Sequence, residues 1–184
     1  MVMVNGLETN DMMKMMENVK DNPASAKATL YATTNWQSGF HNEAEISNFT
    51  VGGAKLKHAQ TFKIEGDQPK QFLGMDMGPA SVEILLAALG HCISNNWAMF
   101  GASMGIPIES LKLEVEGDLD MQGRMGLPEP GKVRPGYQII RITYYVKSKA
   151  PKETLEQLKQ LAEDRSPTRD SLRAVTLSSK LVIE

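Results

Sequence analysis

Arginine is missing from the first two-thirds of this chain: in 184 residues the first is Arg124. Histidine is scarce, at three, and cysteine is reduced to one, Cys92. A lone cysteine excludes an intramolecular disulfide framework. With scattered histidines it also leaves no zinc-ligand spacing, so neither a metal nor another cofactor is expected. An excess of charge of one sign is lacking as well. Twenty Lys+Arg oppose 22 Asp+Glu, so no general positive field exists to draw nucleic acid or an anionic membrane. Long uninterrupted apolar runs are absent too. Glu8, Asp11, Glu17 and Asp21 rule out a signal-peptide core in the first 22 residues. The most apolar segment, 82–104, is broken by Glu83, His91, Asn95 and Asn96 and reads as a buried helix rather than a membrane span. A reducing cytoplasm is the expected compartment. No Gly-rich phosphate loop, serine nucleophile elbow or internal repeat is present.

What is there is a change of texture along the chain. Residues 10–19 place Met12, Met13, Met15, Met16 and Val19 at near-helical spacing between Asn10 and the stop Asn22-Pro23, and such a methionine stripe is expected to pack. Residues 27–65 alternate, with turns at Ser38-Gly39 and Gly52-Gly53, which predicts two or three antiparallel strands. Gly66-Asp67-Gln68-Pro69 ends them. A helix of roughly 24 residues over 81–104, about 36 Å long, follows and is closed by Gly105 and Pro107. Being apolar on most sides, it belongs in the middle of a molecule or in a subunit interface. Strands over 111–121 and 137–147 flank a Gly/Pro-rich loop at 123–136. A helix over 151–164 carries Leu155, Leu158, Leu161 and Ala162 on its inner side, Ser166-Pro167 ends it, and 174–183 is a closing strand. The order predicts an α+β fold without regular βαβ units.

The run Gly78-Pro79-Ala80-Ser81-Val82-Glu83-Ile84-Leu85-Leu86-Ala87-Ala88-Leu89-Gly90-His91-Cys92 resembles the helix that carries the first cysteine of OsmC/Ohr proteins. Leu73-Gly74-Met75-Asp76, the segment from Glu114 to Asp120, Arg134-Pro135-Gly136-Tyr137 and Ser166-Pro167 are similar as well. Val4-Asn5-Gly6 with its following helix resembles one branch of OsmC-like proteins, a branch lacking the second cysteine. The resemblance covers essentially the whole chain and implies a single OsmC-like domain over 1–184. Within it, 1–26 is a helical extension, 27–73 the first strands, 74–107 the cysteine-bearing helix and 108–184 a strand-helix-strand lobe. It also implies an intertwined homodimer with curved antiparallel sheets around long central helices. The implied activity is a stress-response thiol peroxidase acting on organic hydroperoxides and hydrogen peroxide.

In the resembling enzymes a thiolate opens the peroxide O–O bond and a second cysteine then captures the sulfenic acid. Cys92 matches the first position, but Ser166 stands at the second, so an external thiol reductant is implied. The family arginine of the early strands is missing. His41, His58, His91 and Arg134 are the candidate replacements, each with a structural or solvated reading beside it. The family glutamate lies ten residues before the cysteine, where this chain has Val82, with Glu83 one place later. On one continuous helix Glu83 faces away from Cys92. It reaches the thiol only through a break at Gly90 or from the other subunit, and a first-turn acid at the helix dipole is the alternative. The catalytic candidates are therefore Cys92, Glu83, Arg134 and His91, and the pocket candidates Leu85, Leu89, Asn95, Asn96, Asp76 and Ser166. Two further readings stay open: a non-catalytic dimer holding a small apolar ligand with Cys92 in its wall, and a purely structural protein.

Overall fold

The computed structural model describes residues 2–127, 129, 131–172 and 176–183. The chain divides into two compact units, Met1–Thr9 with Leu85–Glu184, and Asn10–Ile84.

The first unit is built on a three-stranded sheet. Strand β7 (Ser110–Asp118) pairs antiparallel with β8 (Ile139–Lys147), from Ser110 opposite Lys147 to Asp118 opposite Ile139. Strand β9 (Thr176–Ile183) lies parallel to β8. Alternation along β8 sends Ile140, Ile142, Tyr144 and Val146 inward, all essentially inaccessible, as a period of two requires. Against them lie the helices α2 (Ser81–Ser103) and α4 (Lys152–Asp164). Leu89, Ile93 and Trp97 of α2 and Leu155, Leu158 and Ala162 of α4 are fully buried. The Trp97 and Tyr144 rings meet at 5.8 Å between centroids. Each such side chain is worth about 1.5–3 kcal/mol of burial, so this layer is the main source of cohesion. Gly117 of β7 leaves room for Tyr137, since a Cβ there would collide with the ring.

At the amino terminus β1 (Met3–Val4) and β2 (Leu7–Glu8) form a hairpin through Asn5-Gly6, both at positive φ. The Asn5 side chain binds three backbone groups of the same unit. Its amide donates to the Ile106 and Ala98 carbonyls at 3.0 and 3.4 Å, and its carbonyl accepts from the Ile108 N–H at 2.8 Å. The end of α2 is thereby fastened to the turn that follows it.

The second unit begins with α1 (Thr9–Asp21) and continues as a sheet of β3 (Ala28–Leu30), β4 (Thr33–Ser38), β5 (His41–Val51) and β6 (Ala54–Gly66). β5 is central, with β3 and β4 on one side and β6 on the other, all antiparallel. Leu30 and Trp36 keep 79% and 72% of their surface accessible, so the chain itself does not cover this sheet. After β6 the buried carboxylate of Asp67 receives the N–H groups of Gln68, Met75 and Met77 at 2.8, 3.1 and 3.2 Å. These bonds curl the 67–78 loop. Gly74 is required there, because a Cβ would strike the Gln68 carbonyl.

The structure departs from the sequence expectations in several places. There are four strands, not two or three, between 28 and 66. The methionine stripe packs only through Met12, while Met13, Met15 and Met16 are exposed, because a 13-residue helix buries one narrow face. The 111–121 strand stops at Asp118, and α3 (Met121–Met125) follows, capped by the Asp120 side chain on the Gln122 N–H. The closing strand pairs in parallel, so β8, the intervening helices and β9 make one βαβ crossover, a direction the sequence pattern had left unstated. Residues 174 and 175 of that predicted strand lie outside the described residues. The central helix starts at Ser81 as predicted and ends at Ser103. It buries Leu89, Ile93, Asn96, Trp97, Gly101 and Ala102, leaving Ala87, Ala88, His91 and Asn95 exposed.

Two outcomes are expected. Asn5→Ala strands two carbonyls and one N–H and is expected to cost about 2 kcal/mol in urea unfolding, whereas a change within a few tenths would show the hairpin to be a bystander. Burial pushes the Asp67 carboxyl up, but the three backbone bonds and the nearby His41 prevail and hold it below the usual range. Its stabilising contribution is therefore complete above an unfolded pKa of about 3.9 and is lost as pH falls below it. The wild type should lose more stability between pH 7 and pH 3 than Asp67→Asn does; parallel curves would show that the carboxylate does not organise the loop.

Candidate active site around Cys92

Cys92 sits half-buried in α2, one turn along the helix from buried Leu89 and flanked in the next turn by Asn95 and Asn96. The chain returns to it after α4. There Ser166-Pro167, which the sequence presents as a stop, opens a second helix, α5 (Pro167–Ser171). Proline tolerates the first helical position because it needs no N–H there. Serine before it caps the turn, its hydroxyl oxygen accepting from the Arg169 N–H at 3.2 Å. The same hydroxyl donates to Cys92 Sγ at 3.1 Å, and Ser166 is only 1% accessible. Thr168 lies close enough for its hydroxyl and backbone N–H to favour the charged form of the sulfur as well.

Burial pushes the Cys92 thiol up, yet the Ser166 and Thr168 hydrogen bonds outweigh it and leave the thiol below its ordinary pKa. A hydrogen bond to a charged acceptor is worth about 1.5–3 kcal/mol, and one pKa unit corresponds to about 1.4 kcal/mol. Two or three such donors thus suffice against a half-buried sulfur. The groups acting on it are neutral: two hydroxyls and an amide.

The structure brings Cys92 and Ser166 into contact, with Leu89 beneath them in the same helix. Leu85 is half-buried and Asn95 exposed. Asn96 is buried and spends its amide on the Ala162 carbonyl at 2.9 Å, which seats the end of α4 against α2. His91 is exposed on α2, and Arg134 is exposed in the loop before β8, where its carbonyl accepts from Gln138. Glu83 and Asp76 belong to the other compact unit and have local roles there. The Glu83 carboxylate caps the start of α2 by accepting from the Ala80 N–H at 2.7 Å. The helix runs unbroken through Gly90, so the break that would turn Glu83 toward Cys92 does not occur. Asp76 is exposed with φ 62° and donates its N–H to the Gln68 carbonyl. Of the two early histidines, His41 pairs with Glu65 at 2.8 Å and His58 lies between the Phe49 and Phe62 rings. An open cavity of about 410 Å³ in the second unit is lined by Tyr31, Asn48, Phe49, Lys55, Leu56 and Lys57, none of them a predicted site residue.

Sequence reasoning missed Thr168 and Arg169. The signal was the Ser-Pro pair, which marks a helix start as clearly as a helix end. Removing the Ser166 hydroxyl should raise the Cys92 pKa. Ser166→Ala is expected to slow iodoacetamide alkylation at pH 7 by about threefold to tenfold, with the midpoint of the rate profile moved up by about half to one unit. An unmoved midpoint would show that the hydroxyl does not stabilise the thiolate.

No helix among the described residues is long and apolar enough to cross a membrane, and no group of three His, Cys, Asp or Glu among them is placed to hold a metal ion. No curated protein sequence matches the chain. Solved structures do match in fold. An OsmC-like protein from Mycoplasma pneumoniae superposes with a TM-score of 0.65 at 15% identity, covering 84% of this chain and 96% of its own. An organic hydroperoxide resistance protein OsmC from Legionella pneumophila gives 0.56 at 16% identity, covering 86% and 99%. The organic hydroperoxide resistance protein OhrB of Bacillus subtilis gives 0.51 at 14% identity, covering 84% and 98%. Residues 74–180, which contain Cys92, Ser166, Thr168 and Arg169, match the family model described as OsmC-like protein, and this chain belongs to the OsmC-like family.

Proposed function

We propose that the chain is a one-cysteine, thiol-dependent hydroperoxide reductase with a role in peroxide stress. The observation that carries the reading is the 3.1 Å bond from the buried Ser166 hydroxyl to Cys92 Sγ. Donors aimed at the sulfur favour its thiolate form, and the thiolate is the nucleophile. The names of the Legionella and Bacillus structures, both organic hydroperoxide resistance proteins, support peroxides as the substrate class.

In this reading the Cys92 thiolate attacks one peroxide oxygen and the O–O bond breaks. The sulfur is oxidised to the sulfenic acid, and the departing alkoxide takes a proton and leaves as an alcohol. Ser166 cannot form a disulfide. An external thiol therefore displaces water from the sulfenic acid to give a mixed disulfide, and a second thiol releases Cys92 as thiolate and departs as disulfide. Apolar Leu85 and Leu89 beside the thiol suit an alkyl substituent.

The same proposal includes a homodimer in the cytoplasm. Leu30, Trp36, Leu56 and Phe62 are exposed on the sheet of the second unit, and monomers rarely leave apolar area of that extent in water. A second copy would also cover Ala87, Ala88 and His91 of α2.

Peroxide consumption with a small dithiol as reductant tests the activity. Wild type is expected to consume cumene hydroperoxide and Cys92→Ser to fall to the uncatalysed rate. Equal rates in the two proteins would remove the enzyme and leave an OsmC-like dimer of another function.

A further inference from the structure

We infer that Arg169 is the positioning residue of the Cys92 site: it clamps the corner between α4 and α5 so that the Ser166 hydroxyl is held pointing at the sulfur. The inference rests on reading Cys92 as the working thiol, but its test does not need peroxide turnover.

Ser166 lies in the corner, and a corner of two residues, Arg165 and Ser166, between two helices has little of its own to hold it. Arg169 supplies three attachments. Its backbone N–H donates to Ser166 Oγ at 3.2 Å. Its guanidinium reaches back to the end of α4, with one terminal nitrogen 3.1 Å from Asp164 Oδ1 and the other 3.9 Å from Glu163 Oε2. Glu163 is itself buried, and its other oxygen accepts from the Tyr144 hydroxyl at 3.0 Å. Tyr144 is a fully buried residue of β8. A continuous chain of contacts thus runs from the sheet through Tyr144, Glu163 and Arg169 to Ser166 and the sulfur.

Two features separate this arginine from an ordinary surface ion pair. Its side chain is 31% accessible, and its Nε is buried with no hydrogen-bond partner. An unsatisfied buried donor is unfavourable, so the side chain is held in place by what its terminal nitrogens and backbone do. Planarity matters too. The two terminal nitrogens diverge toward two carboxylates on consecutive residues, a reach that the single ammonium of a lysine does not reproduce. The direction of the Ser166 proton then follows. The hydroxyl has one hydrogen to give. With a lone pair occupied by the Arg169 N–H, that hydrogen is left for Cys92.

Arg169 acts on the sulfur through Ser166: its guanidinium is turned to Asp164 and Glu163 on α4, while its backbone N–H meets the Ser166 hydroxyl. The charged and titratable groups of this corner are Glu163 and Asp164 on α4, Arg165 before Ser166, Arg169 and Asp170 on α5, and Tyr144 on β8.

The test is the pH profile of Cys92 alkylation by iodoacetamide, read on the full chain with thermal unfolding followed in parallel. Arg169→Met is expected to raise the midpoint by about half a unit or more, which lowers the alkylation rate at pH 7 by about threefold. Arg169→Lys is expected to behave like Arg169→Met, because it keeps the charge but loses the two-pronged clamp. Asp164→Asn, which weakens the 3.1 Å contact and leaves Arg169 and Ser166 in place, is expected to shift the midpoint in the same direction by less. If Arg169→Met does not fold, Asp164→Asn decides. An unmoved midpoint in a folded Arg169→Met, or in Asp164→Asn when Arg169→Met does not fold, overturns the inference. A Lys variant that restores the wild-type midpoint overturns it too, by showing that charge and not position acts. Absence of peroxide turnover in wild type would instead count against the proposed function and leave these shifts to be read on their own.

Discussion

A buried serine hydroxyl has one proton and must give it in one direction, and the Cys92 site depends on which direction Ser166 takes. Its oxygen is 3.2 Å from the Arg169 N–H and 3.1 Å from the sulfur. The amide can only donate, so the hydroxyl accepts there and donates to Cys92. The rest of the first unit serves this placement. Asn96 seats α4 on α2 through the Ala162 carbonyl, Tyr144 ties the end of α4 to the sheet through Glu163, and the start of α5 then falls beside the thiol. A shift of about an ångström along α4 would lengthen the donor to the sulfur beyond useful range.

This arrangement lowers the Cys92 pKa without the early-strand arginine that the resemblance led one to look for. A single cation beside the thiol would achieve the stabilisation through charge, which requires that charge to be partly desolvated. Neutral donors on a short helical turn avoid that cost, but they have to be aimed. Aim is supplied by rigid elements: a capped turn with proline at its first position, packed against two helices whose inner faces are fully buried. The serine at the second cysteine position is thus in direct contact with the sulfur, and in the proposed cycle the reductant is an external thiol.

The second unit is held by different means. Its sheet has little apolar core within the chain, and Asp67 orders the following loop by collecting three backbone N–H groups. Gly74 belongs to that loop because the Gln68 carbonyl occupies the space a side chain would take. Glu83, which looked like a transposed catalytic acid, ends the loop as a helix cap on Ala80. A residue one position out of a family pattern faces about 100° away on a helix, and the local role is what remains to it.

Periodicity and punctuation in the sequence by themselves determined the elements. The central helix was legible to within a residue, from Pro79 before it and Gly105 after it, and so was α4 with its Leu155 and Leu158 face, while the 137–147 strand begins two residues later than expected, at Ile139. Cys92 and Ser166 were legible as a pair by position. The α5 turn was not, because Ser-Pro marks both an end and a beginning and five residues are too few to show a period. The direction of β9 was not, because alternation encodes faces and says nothing of which way a neighbour runs. That the Ser166 hydroxyl reaches the sulfur was decided only by the tertiary structure: Ser166 lies more than 70 residues from Cys92. Hydrogen bonds are selected by distances of tenths of an ångström, which exist only once α2, α4 and β8 have packed.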